Sequence, residues 1–212
     1  QLCVSVLTLL SAHTLGVKKS QNKLFRLATS FLIGSFTMTV LILSDVVLVA
    51  FSIYQSNIPQ LAWCVGCGIL LVSGAAVWLF YFRKGPGTML WIPRGMAHYL
   101  NNRASATKSC AESFGLGLVS VFGEIMFIIA PIIIAALAIT QLPLVWQPMA
   151  IGGYAIISTM SLAIVWLLII KGYKLSRIQR WREENKRFMQ FSAGAGLIIL
   201  SIFVFVNVIL NY

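Results

Sequence analysis

Charge is what this sequence has least of. Only 10% of its 212 residues are Asp, Glu, Lys or Arg, against about a quarter in an ordinary soluble domain. So few charges cannot clothe a chain of this length in a water-facing surface, which excludes a soluble globular fold. Acids are scarcer still, five in all, and there are two histidines and four cysteines. That inventory disfavours a multi-histidine metal or haem site. Also missing are the HExxH of intramembrane metalloproteases, a GxSG serine with a later histidine, the paired NPA of water channels and a Walker motif. An enzyme is therefore disfavoured, and no cofactor or metal is expected.

Hydrophobicity takes the place of charge, at 59% of residues and a mean hydropathy of +0.90. Six runs are long enough to cross a hydrocarbon core, which takes about 20 apolar residues. They lie near 1–17, 29–53, 60–82, 114–139, 145–170 and 192–211. The expected fold is all-α, a polytopic membrane protein with six transmembrane helices in a single transmembrane domain. The first run has no basic n-region and reads as a span, not as a cleavable signal.

The connections between the runs differ in charge. Lys18, Lys19, Lys23 and Arg26 follow the first run; Arg83, Lys84, Arg94, Arg103 and Lys108 follow the third. Lys171, Lys174, Arg177, Arg180, Arg182, Lys186 and Arg187 follow the fifth, and these three groups hold all 16 Lys and Arg of the chain. The connections SNIPQ (56–60) and TQLPLVWQP (140–148), like both termini, carry no charge. By the positive-inside rule the basic loops are cytoplasmic and both termini face outward, in what is expected to be a prokaryotic plasma membrane. The net charge of +11 then reflects topology and attraction to anionic lipid headgroups, with no nucleic-acid partner. In 174–191, Leu175, Ile178 and Trp181, continued by Phe188 and Phe191, read as an interfacial helix on the inner leaflet.

The basic loop 83–113 divides the chain into halves 1–82 and 114–212. It opens on a Gly/Pro turn and continues past Pro93 as an amphipathic helix. Each half has three spans, and three is odd, so the second half enters from the opposite side; related halves would form an inverted repeat. Setting VLTLLSAHTLG (6–16) against GLVSVFGEIMF (117–127) places His13 opposite Glu124.

Three ionisable groups fall inside predicted spans: His13, Asp45 and Glu124. An acid at a helix centre costs roughly 2.5–3.5 kcal/mol on insertion scales, so it is paired, protonated or turned toward a hydrated path. These three are the candidate substrate, ion or proton pathway, although each also reads as a helix-to-helix contact. The other acids, Glu112, Glu183 and Glu184, are in basic loops. Pro131 removes a backbone hydrogen bond in the fourth span and is the candidate helix break. Cys64 and Cys67 form a CxxC near the outer end of the third span and are the candidate redox pair, alternatively two small buried hydrophobes. The pair is similar to that of membrane disulfide oxidases and vitamin K epoxide reductases, which also need a second outer pair absent here.

Six spans as 3+3, outward termini and a long basic central loop resemble the lysine exporter superfamily, which includes amino-acid and metal exporters and thiol carriers of cytochrome c biogenesis. The likeness covers layout, not motif. Those exporters commonly have a Pro-Gly turn early in the first span, where this chain has SAH (11–13), and the thiol carriers use a cysteine in the fourth span, whereas Cys110 precedes it. The resemblance implies a secondary transporter exporting a small solute or ion, proton-coupled, with its site between the first and fourth spans. Two alternatives stand beside it: a thiol-redox protein using Cys64 and Cys67, and a structural or accessory subunit in a homo-oligomer or with another membrane partner.

Overall fold

A computed structural model describes residues 2–16, 21–55, 57–81, 103–104, 107, 109–171, 177, 180–181 and 184–209. Among them there is no strand; seven α-helices are followed by a π-helical turn. They are α1 (Leu2–Gly16), α2 (Gln21–Tyr54), α3 (Gln60–Tyr81), α4 (Cys110–Gly123), α5 (Ile125–Thr140), α6 (Gln147–Ile170) and α7 (Lys186–Val204), with the π-turn at Phe205–Ile209. The expected helix past Pro93 and most of the expected interfacial helix at 174–191 lie outside the described residues.

Four helical segments are long and apolar enough to cross a membrane: Asn22–Tyr54, Gln60–Leu79, Gln147–Ile170 and Arg187–Val208. A fifth is added if α4 and α5, interrupted at Glu124, act as one span. As described, α1 has 15 residues, short of the length a full crossing takes. Large apolar side chains such as Leu48, Leu61, Val72, Ile157 and Ile199 are exposed along these helices. An exterior of this kind suits lipid and not water, and the protein is membrane-embedded.

Two helices overrun their predicted spans. Nothing between Gln21 and Leu27 breaks a helix, since Gln, Lys, Leu and Arg are good formers, so α2 absorbs Lys23 and Arg26. For the same reason α7 begins at Lys186, and Phe188 and Phe191 belong to its first turns and not to a separate surface helix. The turn after α2 is closed by Gln55 at φ 51°, with its amide donating to Phe51 O at 2.8 Å. Pro59 and Pro148 fall at the starts of α3 and α6, where a missing N–H costs nothing.

The chain forms two compact units. The first comprises 1–41, 91–125 and 152–182; the second comprises 42–90, 126–151 and 183–212. In the first, α2 and α4 run in the same direction with their backbones touching. A Cβ on Gly34 would collide with the Phe114 carbonyl oxygen, and one on Gly117 with that of Phe31. Three serines tie this crossing. Ser30 donates to Cys110 O at 2.6 Å, Ser35 to Gly117 O at 3.3 Å, and Ser113 to Leu27 O at 2.7 Å. Small residues let membrane helices approach, and hydroxyls then reach the neighbouring carbonyls. Trp166 of α6 donates to Thr29 Oγ1 at 3.1 Å and packs on Phe25.

The second unit has the same construction with different residues. Helices α3 and α7 lie antiparallel, with Ser201 donating to Cys67 O at 3.0 Å at one end and Trp78 donating to Phe191 O at 3.2 Å at the other. The Trp78 and Phe191 rings stack at 5.4 Å. Between these ends a Cβ on Gly194 would strike the Trp78 ring. Trp63, Cys67, Leu70, Ile134 and Leu137 form the apolar core, which Ile58 and Val204 extend.

Candidate functional site

The site is built on one face of α4. Ser113, Gly117, Ser120 and Glu124 follow one another at steps of four, three and four, so they share a helical stripe. Ser113, Gly117 and Ser120 are buried and Glu124 is half-buried. Ser120 donates to Leu116 O at 2.7 Å. Its proton is thus spent on its own helix, and its oxygen faces the interior as an acceptor.

At the end of this stripe the helix stops. The Glu124 amide donates to Val121 O at 3.0 Å, a tightened last turn, and Glu124 itself has φ −96° and ψ 0°, in the sparsely populated bridge region where many active-site residues sit. Gly123 just before it is the poorest helix former short of proline. Helix α5 then starts at Ile125 and continues through Pro131 to Thr140. The interruption is therefore at Gly123 and Glu124, seven residues before the proline expected to cause it. The carbonyls of the last turn of α4 have no amide four residues on within that helix, as at any helix end.

Helix α1 packs on α4 within the first unit. The Cys3 amide donates to Glu124 Oε1 at 2.9 Å, and the buried Cys3 side chain lies against the same carboxyl group. Along α1, Thr8 and Ser11 are buried and donate to Ser5 O at 2.8 Å and Leu7 O at 2.7 Å. What the structure brings together at Glu124 is the Cys3 amide and thiol; Thr8, Ser11 and Ser113 lie further along their helices. A carboxylate in such a place can take up a proton or a cation.

The other candidate residues are placed differently. His13 lies in α1 ten residues from Cys3, about 15 Å along the helix, so its position is not level with Glu124; its side chain is outside the described residues. Asp45 lies in the second unit, exposed on α2. Cys64 is exposed and Cys67 is buried in the apolar core of α3; all four cysteines are free thiols. Cys110, at the other end of α4, is about 21 Å from Glu124 along that helix. Among the described residues no group of three or more His, Cys, Asp or Glu is arranged to hold a metal ion.

The residues the sequence reading passed over are Cys3, Ser113 and Ser120; it placed Glu112 in the basic loop, whereas the structure puts Glu112 in the first turn of α4. Glu112 closes a capping box at the start of α4, where its amide donates to Ser109 Oγ at 3.2 Å and its Oε2 accepts from the Ser109 amide at 3.5 Å. The S-x-x-E spacing signals that cap. The spacing of 113, 117, 120 and 124 could have signalled the stripe. Comparison with protein families, with curated proteins and with solved structures found nothing that matches this chain.

Proposed function

We propose that this protein is a multi-pass secondary transporter of a prokaryotic plasma membrane that exports a small solute or ion, with Glu124 as the group that binds a proton or cation. One observation carries the reading: a carboxylate stands at a helix interruption, at the end of a buried hydroxyl stripe, and is held by a backbone amide of another helix. Transporters place ion sites at interrupted helices because irregular backbone frees polar groups at membrane depth. A proton or cation taken up by Glu124 competes with the Cys3 amide for the carboxyl oxygen, which ties ligand binding to the grip between α1 and α4.

The same pairing supports a 3+3 inverted repeat. The first spans of the two halves meet at Cys3 and Glu124, and the third spans meet along α3 and α7. The lysine exporter layout accommodates both pairs.

The test is transport by the purified protein in liposomes holding a pH-sensitive dye, with an imposed pH gradient and a panel of monovalent cations, divalent cations and amino acids outside. At least one of these is expected to collapse the gradient, and Glu124→Gln to slow that collapse at least tenfold. Gln is the right replacement because its side-chain oxygen still accepts from Cys3. A correctly folded Glu124→Gln protein that moves the same solute at the wild-type rate refutes the proposal, as does a wild-type protein that moves nothing on the panel.

A further inference from the structure

Gly152 and Gly153 stand side by side in the second turn of α6. Glycine is the poorest helix former short of proline, and glycine pairs are places where helices bend. A glycine inside a membrane helix is ordinarily explained by a close neighbour, as Gly34 and Gly117 are by the backbones they touch. Gly152 and Gly153 have no such explanation, since a Cβ on either would meet nothing within 4 Å among the described residues. The division of the chain supplies another. The second unit takes in 126–151 and the first resumes at 152, so α6 passes from one unit to the other at this pair. At its opposite end the same segment begins at Met126, two residues after the interruption at Glu124. Segment 126–151 therefore has a weak point of helix at each end, Gly123–Glu124 before it and Gly152–Gly153 after it. Within the segment, Ala130, Ile134 and Leu137 belong to the core of the second unit. Past Gly153, α6 is held in the first unit by Trp166, through Thr29 and Phe25.

We infer that Gly152–Gly153 is a hinge, which together with Gly123–Glu124 lets segment 126–151 turn as one piece, with the second unit, against the first. Two pivots are needed because the segment is tied to the first unit at both ends. A bend at Glu124 alone would be opposed by a stiff α6. Open space around the pair suits a hinge, because backbone that bends there breaks no side-chain packing, whereas packed crossings resist gradual deformation. Helix α2 passes from 41 to 42 as one helix with no glycine near the division, and a helix of 34 residues can follow a small turn by curving gently along its length. The inference rests on connectivity and on the two glycines, and it holds whether or not Glu124 binds an ion.

Electron spin resonance distances between two labels test the hinge. One label goes on the exposed Cys64 of the second unit and the other on Ile164→Cys, an exposed position of the first. Cys110→Ser removes the remaining accessible thiol, and Cys3 and Cys67 are buried. In lipid nanodiscs this protein is expected to give two distances. Adding Gly152→Ala and Gly153→Ala together should leave one. Adding Gly68→Ala and Gly196→Ala should leave both, because those glycines also face open space but lie inside the second unit. One narrow distance without the alanines, two distances that survive Gly152→Ala and Gly153→Ala, or an equal collapse in the Gly68 and Gly196 control would overturn the inference. All three are read with no solute present, so they are separate from any failure of transport.

Discussion

The carboxylate of Glu124 accepts the backbone amide of Cys3 at 2.9 Å, across 121 positions of sequence. This bond makes separate predictions for charge and for shape. Glu124→Gln keeps an acceptor and should cost less than about 1 kcal/mol of stability. Glu124→Ala leaves a part-buried amide without that acceptor and should cost about 1–3 kcal/mol. Both should slow solute-driven collapse of a pH gradient at least tenfold. Thermal denaturation of the two variants, beside the liposome assay, separates the structural effect from the functional one.

Some glycines touch backbone and others touch nothing. An alanine at Gly34 or Gly117 would push α2 from α4 and should destabilise by about 1–3 kcal/mol. Gly152 and Gly153 face open space, so alanine there should be neutral or should stabilise by up to about 1 kcal/mol. Melting temperatures of the four single variants in detergent should fall into these two groups.

Interruption at Gly123 and Glu124 instead of Pro131 is testable by substitution. Pro131→Ala should leave transport within about twofold and raise stability, because α5 already continues through that residue and the change restores a backbone donor. Gly123→Ala favours a continuous helix by about 1 kcal/mol and should slow transport more than Pro131→Ala does. The reverse order in the liposome assay would place the working break at the proline.

Two tryptophans of α3 should respond differently to the same change. Trp78 donates to Phe191 O and stacks on its ring, so Trp78→Phe loses a hydrogen bond worth about 0.5–1.5 kcal/mol. The Trp63 Nε1 atom is buried without a hydrogen-bond partner among the described residues. Trp63→Phe therefore removes an unpaired donor and should lie within about 1 kcal/mol of wild type, despite the smaller ring. Thermal shifts of the two variants give the comparison directly.

Serine bridges between α2 and α4 should be individually weak and jointly large. Ser113→Ala and Ser30→Ala should each cost about 0.5–1 kcal/mol, in the range for hydrogen bonds between membrane helices. The two bonds cross in opposite directions, Ser113 to Leu27 and Ser30 to Cys110, so the double variant should lose at least the sum. Stability of the single and double variants in one detergent closes the cycle.

What the sequence by itself determined is everything that depends on near neighbours along the chain. Apolar runs specified long helices because, away from water, only a helix satisfies a segment's own backbone. The S-x-x-E at Ser109 marks where α4 starts, a signal that assigning 109–113 to the basic loop leaves unread, and the grouping of Lys and Arg at three places along the chain is the ground on which a side of the membrane is proposed. Local rules failed at Pro131, which proved compatible with a continuing helix, while Gly123 and Glu124, not expected as a break, formed it. The tertiary structure alone decided the company of each polar residue. Matching positions within the first and fourth spans set Glu124 opposite His13, but Glu124 meets Cys3, because the register of α1 against α4 is set by side chains packing between helices. Asp45 and Glu124 look equivalent in the sequence, as acids in apolar helices. Packing separates them, half-burying Glu124 against α1 and leaving Asp45 on an exposed face, because burial depends on which side of a helix meets a neighbour and a sequence of apolar residues on all sides does not name that side.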